Sequence, residues 1–70
     1  ARTLAFVEVK RRANAADALA SVTHRQRARI LRAAEWWLAR NPSYGGYTLR
    51  FDVVAAGGWR PVHLANAFEA

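Results

Sequence analysis

Two charged side chains two positions apart, Glu8 and Lys10, close the apolar run TLAFVEVK. In an extended strand residues i and i+2 project to one face, so a carboxylate and an ammonium would stand side by side. A carboxylate is a hard oxygen ligand suited to Mg2+ or Mn2+. An ammonium beside it can neutralise a phosphate oxygen or orient a water, which is the chemistry of metal-assisted phosphodiester hydrolysis. Glu-x-Lys is also a common pattern, and a solvated ion pair at a strand end is the plainer account of it. Arg11 and Arg12 follow directly, where a phosphate backbone passing the strand end would meet them.

The elements that must position these residues are short. Thr3 to Lys10, rich in Val and Phe and free of Gly and Pro, reads as a strand. It is apolar on both faces until its charged end, which suggests an internal strand. Arg11 to Val22 reads as a basic loop with a short helix over Ala15 to Ala20. Thr23-His24-Arg25-Gln26 fits a capping box, with Thr23 as N-cap and Gln26 reaching back to its N–H. The helix is expected to run to about Arg40, because Asn41-Pro42 stops it. Its apolar stripe is Ile30, Leu31, Ala34, Trp37 and Leu38; Arg25, Arg29, Arg32 and Trp36 gather opposite. After a loop from Pro42 to Gly46, Tyr47 to Ala55 reads as a second strand. Gly57-Gly58 signals a two-residue hairpin into a third strand near Trp59 to Leu64. Strand, helix, strand, strand predicts an α/β fold with a mixed sheet, parallel across the helix and antiparallel at the hairpin.

Composition narrows the partners. Seventy residues make one small domain, and with no cysteine there is neither a disulfide framework nor a Cys-ligated zinc site. His24 and His63 have no third metal-type neighbour at zinc spacing and read as surface or turn residues. No apolar stretch reaches the roughly 20 residues of a membrane-spanning helix. The formal charge of +6, carried almost entirely by Arg, favours a polyanion such as DNA, or else an acidic protein surface.

Four segments in order, FVEVKRR, SVTHRQRARI, RFDVVA and HLANAF, resemble the successive motifs of the YraN-like family. That bacterial family is similar to Holliday junction resolvases and to the PD-(D/E)xK restriction-endonuclease-like superfamily. The resemblance runs through essentially the whole chain and implies a restriction-endonuclease-like core acting on structured or branched DNA in the bacterial cytoplasm. It places Glu8 and Lys10 on the family's E-x-K positions, and Gln26 where many relatives carry a helix Gln facing the metal site. It implies that the Glu8 carboxylate and the Val9 carbonyl ligate Mg2+ or Mn2+, while Lys10 stabilises the attacked phosphate and Gln26 supports the water. Asp52 falls on the family's R-F-D strand, either as a ligand or as a structural acceptor beside Arg50.

The family's catalytic Asp stands on a preceding strand in a Gly-Glu-hydrophobic-Asp motif, with no counterpart here. The expectation is therefore a partial nuclease-like domain lacking its N-terminal helix and strands, in which metal and cleavage activity belong to the intact protein. Lys10, Arg11, Arg12, Arg25 and Arg29 are the candidate nucleic-acid contacts; for the helix arginines the alternative is a solvated face. Exposed Trp36 suggests an interface, with the rest of the protein or in a homodimer, or else a stacking platform. Two other functional classes stay open: a nucleic-acid-binding module without catalysis, and a structural domain that meets an acidic protein.

Overall fold

The computed structural model describes residues 2–69. Strand β1 (Thr3–Lys10) is followed by α1 (Ala15–Ala20), α2 (His24–Arg40), a single 3-10 turn at Pro42–Tyr44, β2 (Thr48–Ala55) and β3 (Val62–Phe68). The mixed α/β architecture expected from the sequence is present: β1 runs parallel to β2, and β3 returns antiparallel to β2.

Local chemistry sets the helix limits. Asn14 caps α1 by accepting from the Asp17 N–H at 2.8 Å. Thr23 caps α2 through the full capping box, with Gln26 N–H donating to Thr23 Oγ1 and Thr23 N–H donating to Gln26 Oε1. At the other end Asn41 donates to the carbonyls of Leu38 and Trp37, and Pro42 ends the helix by removing the next donor.

Register divides the sheet into two unlike faces. Phe6, Glu8 and Lys10 stand opposite Phe51, Val53 and Ala55, so they share the face that both helices cover. The core is built there from Ala18, Val22, Ala34, Phe51, Val53, Ala55 and Phe68, with Ile30 and Leu31 of α2 packed against it. Phe6, Phe51 and Phe68 stack in a row across all three strands, with ring centres 5.8 and 5.6 Å apart, and Trp37 meets Phe6 edge-on. Among the described residues no helix lies on the opposite face, and Val7 and Val9 are 51% and 59% exposed.

Among the described residues β1 stands at one end of the sheet, whose order is β1-β2-β3, and its apolar second face is uncovered there. Two expectations are corrected. The third strand begins at Val62, not Trp59, because Pro61 has no N–H for a ladder. Gly57-Gly58 likewise is not a two-residue hairpin but part of a six-residue connection, 56–61. These glycines allow backbone approach: a Cβ on Gly57 would lie 2.6 Å from the Arg12 carbonyl carbon.

Candidate functional site

Parallel pairing brings the carboxyl ends of β1 and β2 together, and α2 starts beside them. Lys10 is the centre of what results. Its ammonium donates to Gln26 Oε1 at 3.0 Å and lies 3.1 Å from Glu8 Oε2. The structure thus assembles Glu8, Lys10 and Gln26 from two elements sixteen residues apart. Gln26 is a capping-box partner and at the same time a neighbour of Lys10, because one oxygen accepts both the Thr23 cap bond and the Lys10 bond.

The donor inventory shows what this cluster can still do. Both partners of Gln26 Oε1 are donors, which fixes the amide orientation and leaves the Nε2 protons without a partner among the described residues. An ammonium has three protons, and two are taken by Glu8 and Gln26. One Lys10 proton and the Gln26 amide group therefore remain available to an oxygen-rich anion or a water.

The carbonyls of Arg2 and Lys10 accept from β2-side N–H groups, those of Thr48 and Ala56. Strand alternation then turns the intervening odd-numbered carbonyls, including that of Val9, toward the open edge. Glu8 and Val9 accordingly offer two hard oxygens. Among the described residues no group of three or more His, Asp or Glu is placed to hold a metal, so these two donors do not make a complete cation site by themselves.

Asp52 stands on the other side of the sheet. It is fully buried and accepts four hydrogen bonds: from Arg50 Nε and Nη2 at 2.9 Å each, from the Asn66 N–H at 2.9 Å, and from His63 Nε2 at 2.8 Å. The Arg50 guanidinium holds the Asp52 carboxyl down at about 2 against burial, with Asn66 and His63 reinforcing the effect. An ionised carboxylate only accepts, so the His63 proton sits on Nε2. Asp52 is thus a structural acceptor, and the metal-ligand alternative falls because its four sites are filled and it points away from Glu8. His63 is exposed, as expected of a surface residue, but it lies on strand β3 rather than in a turn, and its ring is bound to Asp52. Asn66, at φ 52°, lies in the irregular stretch of β3 opposite Asp52, where its amide can turn toward the carboxylate.

Arg11 and Arg12 are exposed on the loop leaving β1, and Arg25 and Arg29 are exposed along the first turns of α2, next to Gln26. Arg32 continues that exposed row. Trp36, 58% exposed, lies about 15 Å farther along the helix than Gln26 at 1.5 Å per residue. One of its faces is taken by Arg40, 3.9 Å from the ring centre. A second exposed aromatic is Trp59, whose place in a strand expected over Trp59 to Leu64 gave no sign of its exposure. It stands on the 56–61 connection together with Arg60.

Against known proteins, residues 1–56 match the model of a family described as "Uncharacterised protein family UPF0102". A UPF0102 protein of Methylorubrum extorquens (strain PA1) is 54% identical over 69 residues, covering 97% of this chain and 54% of that protein. One from Rhodopseudomonas palustris (strain HaA2) is 52% identical over 68 residues, covering 96% and 53%. Another from Mesorhizobium japonicum is 47% identical over 64 residues, covering 90% and 51%. The chain spans about half the length of the curated relatives it matches.

Proposed function

The chain belongs to the uncharacterised protein family UPF0102, and from that premise we propose that it forms part of a metal-dependent endonuclease acting on structured or branched DNA. One observation carries the reading: Glu8, Lys10 and Gln26 converge on the helix-covered face with unused donors, at the end of the strands where arginines gather. Open α/β sheets bind ligands at the carboxyl ends of their strands, which is where this cluster lies.

In this proposal Mg2+ or Mn2+ is held by the Glu8 carboxylate and the Val9 carbonyl, together with a further carboxylate from outside residues 2–69. The ion would supply charge neutralisation and an activated water. The residues of this chain do the rest. Lys10 directs its remaining proton at a non-bridging phosphate oxygen, while Glu8 and Gln26 keep the ammonium in place. The Gln26 Nε2 group donates to the water or to a second phosphate oxygen. Arg11, Arg12, Arg25 and Arg29 neutralise the flanking phosphates, which positions the backbone without reading its sequence. No helix of the described residues is long and apolar enough to cross a membrane, and the proposed place of action is the bacterial cytoplasm.

The test is cleavage of supercoiled and branched DNA by the full-length protein with Mg2+ or Mn2+, beside Glu8→Ala and Lys10→Met variants. The expected result is metal-dependent nicking that falls about 100-fold or more in each variant. Equal product from wild type and Glu8→Ala would sink the enzyme reading. If DNA is then still bound without metal and released by salt, the non-catalytic module takes its place.

A further inference from the structure

We propose that Trp59 is a base-stacking platform beside the candidate site, so that the surface selects nucleic acid with an unpaired base over continuous duplex. The proposal deepens the DNA reading above and rests on it for the choice of ligand. Three observations carry it.

First, Trp59 is 91% exposed, more than any other large apolar side chain among the described residues. Its exposure is not that of a loose tail. Gly57 donates to the Arg12 carbonyl at 2.9 Å, and the Gly57 and Gly58 backbones press against those of Arg12 and Ala13. Pro61 limits the chain just beyond. The tryptophan is therefore presented from a loop fastened at both ends.

Second, the loop to which it is fastened is the basic one. The Lys10 carbonyl accepts from both the Arg12 and the Ala56 N–H groups, so the two loops leave the sheet from one point. Trp59 thereby shares its end of the sheet with Lys10, Arg11 and Arg12. Third, Arg60 lies over the indole, 5.0 Å from the ring centre. It provides charge beside the ring and lies over a single face.

A basic track with an aromatic ring is the pattern that holds single strands, because every base has a π-face while the cations hold the backbone. In an intact duplex the bases are already stacked upon each other. Only a nucleotide freed at a branch, gap or end can lie on Trp59, next to the phosphates that Arg11 and Arg12 reach.

The experiment is binding of the full-length protein, by fluorescence anisotropy without metal, to a labelled branched DNA with unpaired bases and to a blunt duplex of equal phosphate count. Wild type is expected to favour the branched DNA. Trp59→Ala should lose about 10-fold for the branched DNA and little for the duplex, as expected for one stacked base. Trp59→Phe should keep most of the preference, and Trp36→Ala all of it. An unchanged thermal midpoint shows that Trp59→Ala is folded. If Trp59→Ala leaves the preference intact, weakens both ligands equally, or acts only by abolishing a dimer seen in light scattering, the proposal is overturned. The failures are separable: absent cleavage with an intact Trp59 preference removes the nuclease reading alone, whereas cleavage with no Trp59 effect removes the platform alone.

Discussion

Lys10 and Asp52 show how two charged residues on one sheet take opposite roles. Lys10 keeps a proton free, whereas Asp52 has every acceptor site engaged. The Asp52 carboxyl titrates at about 2 in the folded chain against an ordinary 3.8. Between those values the unfolded chain binds more protons, so stability falls as pH falls from about 4 toward 2 and is fully present above that window. Urea unfolding at stepped pH should show this decline, and Asp52→Asn should flatten it while lowering stability by about 1–3 kcal/mol at neutral pH. Gln26 offers a sharper separation of structure from site. Gln26→Glu keeps an oxygen for the Thr23 N–H and for Lys10 but deletes the Nε2 donors, so unfolding should change little while cleavage or phosphate binding drops. Thr23→Ala should do the reverse, costing about 1 kcal/mol of cap stability.

The elements differ in how much of them could be read from residues alone. β1, α1 and α2 agree with the expectation because their limits are local: a charged strand end, the Asn14 and Thr23 caps, and the Asn41-Pro42 stop. The shared face of Glu8 and Lys10 was legible for the same reason, through strand alternation; the capping box gave only the bond of Gln26 to Thr23, and its nearness to Lys10 is set by the packing of α2. β3 starts three residues later than expected because Pro61 lacks a ladder donor, a local signal, whereas the use made of Gly57-Gly58 depends on Arg12, forty-odd positions earlier in the chain. The partners of Asp52 are likewise products of topology, since neither β3 pairing nor the Asn66 turn is written in spacing. The glycine contact makes a clear prediction at this scale. Gly57→Ala must drive a Cβ into the Arg12 backbone, and should destabilise by about 1–3 kcal/mol, visible as a lowered urea midpoint, with Trp59 fluorescence shifted as its loop moves.

For the whole molecule the surplus positive charge is unevenly used. Arg50 is bound to Asp52 and Arg40 lies upon Trp36, whereas Arg11, Arg12, Arg25 and Arg29 point into solvent around the Lys10 end. If these groups hold a phosphate backbone, affinity must fall with salt, and each arginine removed should reduce the log–log salt slope by about 1. Titrations of Arg12→Ala and Arg29→Ala at several salt concentrations would check this, and an unchanged slope would place the contact elsewhere. The parallel register has a kinetic consequence too. Thr3 lies opposite Thr48, so both helices must be traversed before the first rung of that ladder can close. Closing so long a loop is slow relative to the formation of a capped helix. The Lys10 end, where two loops share one carbonyl, is therefore assembled late, and refolding followed at Trp59 should lag behind refolding followed by helix signal.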